Sequence, residues 1–411
     1  MQQADVSALV PLPAIIAASL NLANSIPVPK LLSIPPVKIQ SWDATAGWDS
    51  VPSPALLIDV AAVEANLRAA VDIAGDPTRL RLHVKTVKMA EPLQMAQRLG
   101  VSKWKCATLA EAALVAENGG KDILLAYPTI GPNMNRLRTL GAEFPDVRFS
   151  TLVDNMETAN ALAETWETHP EPLSVWIDIE TGMGRTGILP EGEALELAHR
   201  IDALPSLALA GLSHYDGHIR DVDPEERKRN ADASFERTSG FRDRLRDAGI
   251  DVPAIVAGGS PTFAIHAQHP DVQLSPGTIF LWDFGYGDAF PDLPFQPAAA
   301  LLSRVISRPS KDTLCLDLGH KAVAAENPHP RVRLIGLEDA VAVSQSEEHL
   351  VVQTDRASKF PVGTPVLGIP KHVCPTVALY QRAVAKHEDG AMRRWEVVAR
   401  DRDYRLPKRL S

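Results

Sequence analysis

Between residues 54 and 285 the chain alternates two hydrophobic patterns. Short apolar runs at 80–84, 104–107, 123–127, 147–153, 174–179, 207–213, 254–257 and 272–279 read as buried strands. Between most of them lie stretches with apolar residues at helical spacing, such as 61–74, 109–118, 156–167, 191–201 and 224–248. Strands alternating with helices pair in parallel through right-handed crossovers. About eight such units in roughly two hundred residues predict an α/β fold of the (β/α)8 TIM-barrel type. An open doubly wound sheet would want a Gly-x-Gly-x-x-Gly turn after its first strand, and the chain has none there.

After Gly285 the texture changes. Alternating runs at 314–317, 350–353 and 365–369 are separated by Pro, Gly and Asp, with few long helical patterns. This predicts a barrel domain over 46–290 and a smaller, mainly β domain over 291–411. The run Ala55-Leu56-Leu57-Ile58-Asp59 is a candidate strand at the domain junction. Residues 1–45 read as a proline-rich extension. Their apolar stretch at 6–27 is broken by Pro11, Pro13 and Pro27, and no Lys or Arg precedes it. Both the basic start of a signal peptide and an uninterrupted membrane span are therefore missing.

Composition narrows the function classes. Charged residues make up 23% and hydrophobic ones 45% of the 411 residues, an ordinary balance for a soluble globular chain. A net charge of −9 without a basic block argues against nucleic acid or an anionic membrane as partner. Cys106, Cys315 and Cys374 are odd in number and far apart, which fits a reducing, cytoplasmic setting better than a disulfide framework.

Candidate chemistry gathers at the ends of the predicted strands, where parallel barrels place reactive groups. Lys85 ends the first apolar run, a position where an amine could be desolvated and used as a nucleophile towards an aldehyde. Arg185 lies in the glycine-rich string after the fifth run, and Tyr215 in His214-Tyr215-Asp216-Gly217-His218 after the sixth. Gly258-Gly259-Ser260 follows the seventh and leads into a candidate short helix, so its N–H groups could cradle a phosphate. The same string would also serve as a plain turn, and Arg185 as a salt-bridged loop residue. In the β domain, Lys371-His372-Val373-Cys374 would, if extended, point His372 and Cys374 to one face and towards one metal. Two ligands leave such a site incomplete, so the others would be water or substrate.

Together, these strings resemble the D-threonine aldolase and D-serine dehydratase-like family, fold type III pyridoxal phosphate enzymes with an alanine racemase-type barrel. The likeness runs from about Ser53 to about Arg400. It is carried by His83-Val84-Lys85-Thr86, Lys105-Cys106-Ala107-Thr108-Leu109-Ala110-Glu111-Ala112, Gly184-Arg185-Thr186-Gly187, Tyr215-Asp216-Gly217-His218, Ser275-Pro276-Gly277-Thr278, Asp317-Leu318-Gly319-His320-Lys321 and Ile369-Pro370-Lys371-His372-Val373-Cys374-Pro375. The resemblance implies that Lys85 holds pyridoxal 5'-phosphate as a Schiff base and then acts as a base near the α-carbon. It implies that Arg185 contacts the phenolic oxygen side, that Gly258, Gly259 and Ser260 bind the phosphate, and that Tyr215 lies near the ring or phosphate. His372 and Cys374 would bind a divalent metal (Zn, Mn or Mg), and the enzyme would be a homodimer acting on a small D-amino acid.

Two positions depart from the pattern. Val87 stands where many relatives have histidine, and Lys371 where they have asparagine. The reaction implied first is retro-aldol cleavage of D-threonine-type substrates to glycine and an aldehyde. Dehydration of D-serine or D-3-hydroxyaspartate is the alternative, favoured by cysteine as the second metal residue. A racemase would need a second base, Tyr286 or Tyr380, and would leave the His372/Cys374 pair unexplained. A non-catalytic cofactor carrier on this barrel would not need the second domain.

Overall fold

The computed structural model describes Trp42 and residues 47–404; apart from Trp42, the extension assigned to residues 1–45 lies outside the described residues. The first strand, β1 (Ala55–Asp59), leads directly into helix α1 (Val60–Ala74). The Asp59 carboxylate caps that helix by accepting the Ala62 N–H at 3.0 Å, and Gly75 ends it in the left-handed region at φ 73°. The buried positions Ala62, Val63, Asn66, Leu67, Ala70 and Ala74 fall on one stripe, which packs on the barrel core.

Eight parallel strands follow in sequence order: β2 (Arg81–His83), β3 (Lys103–Cys106), β4 (Asp122–Pro128), β5 (Arg148–Val153), β6 (Leu173–Ile179), β7 (Leu207–His214), β8 (Ile255–Ala257) and β9 (Val272–Leu274). A bridge between Leu80 and Leu274 joins the first of them to the last, so the sheet curls into the expected (β/α)8 barrel. Outside it lie α2 (Ala90–Arg98), α3 (Leu109–Glu117), α4 (Pro132–Glu143), α5 (Met156–Trp166), α6 (Gly192–Asp202), α7 (Pro224–Asp247) and the short α8 (Phe263–His266). Two sequence expectations change. The strand expected over 272–279 stops at Leu274, because Pro276 and Gly277 turn the chain into a 3₁₀ segment at Thr278–Phe280. The helical pattern expected at Lys85 begins as a single 3₁₀ turn, Val84–Thr86, and α2 starts only at Ala90.

The barrel interior is closed below the site. Leu124, Leu152, Trp176 and Val256 form their own buried cluster there. Beneath it, the buried Arg81 guanidinium donates to Asp122 at 2.7 Å and to Gln273 at 2.7 Å, and lies 5.4 Å from the Trp176 ring centre. Gly211 makes room for that tryptophan. Its φ is 150°, and a Cβ would sit 2.0 Å from the Ala254 carbonyl oxygen and 2.7 Å from the Trp176 ring. The register of β7 against β6 slips at this point, which skips Ala210.

The second sheet uses both ends of the described chain. The long strand β10 (Ala299–Ser310) pairs with β1, with β11 (Thr313–Leu316) and with β15 (Pro365–Pro370). β12 (Val332–Leu334), β13 (Val341–Gln345) and β14 (Leu350–Gln353) extend it on one side. β16 (Arg382–Lys386) lies parallel to β1, and β17 (Met392–Glu396) closes that edge. The candidate junction strand at 55–59 is therefore a central strand of the β domain. Two short helices, α9 (Phe284–Ala289) and α10 (Val373–Val377), lie where this domain meets the barrel. Among the described residues no helix is long and apolar enough to cross a membrane.

Candidate active site

At the C-terminal end of the barrel strands a cleft is lined by His83, Lys85, Lys105, Asp178, Arg185 and Tyr215, among others. The sequence brings them there through strand ends. Lys85 sits in the turn after β2, where the His83 side chain accepts its backbone N–H. Burial, and then the charges of Lys85 and Lys105, hold the His83 imidazole far below its usual pKa, so it is neutral. Lys105 alternates into the cleft from β3. It is buried, its Nζ donates to Ser275 Oγ at 3.1 Å, and desolvation lowers its pKa to about 8. Nearby, Lys88 takes the left-handed region at φ 55° and ion-pairs with the fully buried Glu111.

Tyr215 is the common platform. Lys85 Nζ, Lys105 Nζ and the Arg185 guanidinium lie 5.7, 5.3 and 5.2 Å from its ring centre. Three cations around one aromatic ring form a receptor for a flat anion. Thr181 Oγ1 donates to the Tyr215 carbonyl at 2.7 Å, and Thr186 Oγ1 to Asp178 at 2.8 Å, tying the β6 loop to the same rim.

The turn after β8 is built differently from the simplest cradle. The Gly258 N–H donates to the His214 carbonyl, and the Gly259 N–H to Asp216 Oδ1 and Thr262 Oγ1. Two of the three expected phosphate donors are thus already used inside the protein. What Gly258 supplies is its left-handed φ of 82°; a Cβ there would lie 3.0 Å from the His266 ring. Among the described residues the Ser260 N–H has no acceptor. Ser260 Oγ accepts the N–H groups of Gly277 and Thr278 at 3.3 and 3.0 Å, so the turns after β8 and β9 form one amide-rich corner.

His372 and Cys374 come together beside the Lys85 turn, but not as neighbours on an extended strand. β15 ends at Pro370, His372 is the N-cap of α10, and Cys374 is in its first turn. The two side chains are near enough to shift each other's protonation, although they lie on a cap and a first helical turn rather than on one strand face. His372 Nδ1 is 2.6 Å from Glu326 Oε1, leaving Nε2 for Cys374 or a metal, an arrangement common among metal-bound histidines. Burial opposes the charge on His372, but Cys374 and Glu326 outweigh it and raise its pKa to about 9. Burial likewise opposes ionisation of Cys374, and His372, Lys85 and Thr86 overcome it, so its thiol pKa falls. Cys374 Sγ lies 3.1 Å from Thr86 Oγ1 and 3.6 Å from Thr278 Oγ1. The pair from the β domain is thus seated beside the lysine turn.

A buried carboxylate docks that pair. Asp283 accepts the Tyr286 N–H with Oδ1 at 2.9 Å, and the Val373 N–H with Oδ2 at 3.0 Å, between His372 and Cys374. Desolvation lifts its pKa to about 6. Asp283 carried no signal in the sequence reading, and His83 entered it only as part of the string around Lys85. Lys105 had one, a lysine alternating into an otherwise apolar strand. Of the two candidate second bases, Tyr380 donates to the Ala322 carbonyl at 2.6 Å, whereas Tyr286 packs edge-on against Trp282 and Phe290 and burial pushes its hydroxyl pKa well up.

The family model described as "Alanine racemase, N-terminal domain" matches residues 58–282, more than half of the chain. The chain belongs to this family. A serine dehydratase domain model matches residues 298–385, which include strands β10 to β15 and His372 and Cys374. The chain is 27% identical to the D-threonine aldolase of Arthrobacter sp over 85% of its length and 93% of that protein. It is also 27% identical to the D-threo-3-hydroxyaspartate dehydratase of Delftia sp. (strain HT23), over 84% of its length and 96% of that protein. The crystal structure of the D-threonine aldolase from Filomicrobium marinum superposes with a TM-score of 0.76 at 27% identity, covering 86% of this chain and 96% of that one. The relatives thus share the whole two-domain layout, barrel and β domain alike.

Proposed function

We propose that the protein is a pyridoxal phosphate- and divalent-metal-dependent lyase acting on β-hydroxy-D-amino acids, and that it cleaves D-threonine-type substrates to glycine and an aldehyde. The observation that carries this reading is the seating of Cys374 Sγ 3.1 Å from Oγ1 of Thr86, the residue after Lys85, with His372 two residues away on the same helix start. An amine suited to an aldehyde and a metal-type pair are thus close neighbours, which supports this reading. D-threonine aldolase and D-threo-3-hydroxyaspartate dehydratase among the relatives support the substrate class.

Both groups fit the residues present. The cation-ringed Tyr215 and the neighbouring Ser260 N–H, which has no acceptor among the described residues, suit a flat, phosphorylated ring. His372, backed by Glu326, and the acidified Cys374 thiol suit a divalent metal completed by water or substrate. When bound, the cofactor supplies an electron sink for charge at the α-carbon, and the metal a Lewis acid for the β-hydroxyl.

The chain's own groups do the rest. Lys85 Nζ holds the cofactor aldehyde and, once released, is the base and acid positioned near the α-carbon. Neutral His83 fixes the Lys85 turn through its backbone N–H without adding a competing charge. Arg185 and Lys105 offset the negative charge of cofactor and substrate. In the cleavage the hydroxyl proton leaves, the bond between the α- and β-carbons breaks to release the aldehyde, and the α-carbon takes up a proton. The proposed setting is a cytoplasmic homodimer, in keeping with three free cysteines.

The assay incubates the protein with pyridoxal phosphate, a divalent metal and D-threonine, and measures glycine, acetaldehyde, ammonia and 2-oxobutyrate. Glycine with acetaldehyde is the expected pair. Ammonia with 2-oxobutyrate would instead identify a dehydratase, the reading that the His-x-Cys pair also permits. Neither pair with D-threonine, D-serine or D-3-hydroxyaspartate would end the lyase reading.

A further inference from the structure

Behind the phosphate corner lies a fully buried polar cluster that the proposed chemistry does not use. Asp216, His214 and His266 have no exposed surface. Asp216 Oδ1 accepts the Gly259 N–H at 3.2 Å and the Thr262 hydroxyl at 2.7 Å, while Oδ2 takes His266 Nε2 at 2.6 Å. His214 Nδ1 pairs with Thr238 Oγ1 at 2.8 Å, and its Nε2 lies 4.0 Å from Asp216 Oδ2. A buried carboxylate is costly unless its lone pairs are met, and here three donors converge on one side chain. All three hold the same short stretch: Gly259 in the turn, Thr262 at the cap of α8, and His266 at its end. Burial pushes the Asp216 carboxyl up, but the hydrogen bond and charge of His266 prevail and bring its pKa down to about 2.

We infer that Asp216 is a positioning residue for the phosphate of the cofactor: it locks the Gly258–Gly259–Ser260 turn so that the Ser260 N–H points outward. The inference rests on the cofactor reading above. Without the carboxylate, the Gly259 N–H would keep only Thr262 Oγ1, a hydroxyl that Asp216 itself orients, and the turn would lose its fixed shape. The ligand atoms of the three side chains also lie within 4.8 Å of one another, a spacing a metal ion could use. The hydrogen bonds favour the other account, because both Asp216 oxygens already have short donors, and the His266 ring lies so close to Gly258 that a Cβ there would sit 3.0 Å from it.

The test compares the affinities of pyridoxal phosphate and of pyridoxal, which lacks the phosphate, by absorbance and fluorescence titration. Wild type is expected to prefer the phosphorylated form. Asp216→Asn should weaken pyridoxal phosphate about tenfold or more while moving pyridoxal less than about twofold, as expected for loss of a charge-assisted hydrogen-bond anchor. Thr262→Val, which keeps the shape but removes the hydroxyl that donates to Asp216 and accepts the Gly259 N–H, should shift the same ratio by a few fold; it carries the test if Asp216→Asn does not melt cooperatively. An unchanged ratio in folded Thr262→Val, or equal weakening of both ligands in Asp216→Asn, would overturn the inference. So would a bound metal that survives Cys374→Ala and leaves with Asp216→Asn. If wild type binds neither ligand, the cofactor reading itself falls; if it binds both equally, the phosphate corner does.

Discussion

The two halves of the site are made in opposite ways. The barrel half, with Lys85, Lys105, Arg185 and Tyr215, stands on or just after parallel strands of one sheet and is braced from behind by a buried network around Asp216. The β-domain half, His372 and Cys374, is half-buried, sits on a short helix, and reaches the barrel through a few contacts: Thr86 and Thr278 on the thiol, and Asp283 on the Val373 N–H. Strand ends fix side chains through a continuous ladder, whereas a docked helix is only as well placed as its own hydrogen bonds. On the proposed function, the difference predicts separable roles: the barrel would bind the cofactor alone, and the β domain would add the metal function.

The largest effect should come from Lys85→Ala. Borohydride treatment in the presence of pyridoxal phosphate should then leave no covalent cofactor on the protein by mass spectrometry; a surviving adduct would take the lysine out of its role. Next, Cys374→Ala should lower kcat by about a hundredfold or more, since a Lewis acid is worth several kcal/mol at the transition state. Pyridoxal phosphate affinity should stay within about twofold. A parallel loss of cofactor binding would contradict the division between the two halves.

Asp283→Asn probes the dock itself. An amide cannot accept from both the Tyr286 and Val373 N–H groups, so α10 loses one anchor. Metal affinity by competition with a chelator should drop by about tenfold, as for other residues that support metal ligands, with cofactor affinity unchanged. The smallest effect concerns stability and pH. Asp216 has its folded pKa lowered to about 2, so its contribution is fully present above the unfolded value near 4 and is lost as pH falls towards 2. The contribution is roughly 2 kcal/mol. Urea melts of wild type and Asp216→Asn should therefore converge between pH 4 and pH 2; curves that stay parallel across that window would separate the network from the ionised carboxylate.

Much of the fold was legible in advance because its signals are local. Apolar runs of strand length, spaced by helical stretches, placed all eight barrel strands within a few residues. The one strand drawn too long, 272–279, failed where Pro276 and Gly277 break a ladder despite apolar flanks. Lys85 and Tyr215 were found because position at a strand end is a sequence property. The hydrogen bonds of Gly258 and Gly259 were not, because a glycine turn reads alike whether its N–H groups face a ligand or a buried carboxylate more than forty residues away.

By itself, then, the sequence determined the barrel, the appended β domain and the set of chemical groups, because periodicity and strand-end placement are written along the chain. Tertiary structure alone decided which of them act together. It brought Cys374 next to Thr86 across 288 residues, gave His372 its Glu326 partner across 46, and turned Asp216 and Asp283 from ordinary acids into buried struts. Those contacts join residues distant in sequence, and their energies depend on burial and on the orientation of donors that only the folded chain sets.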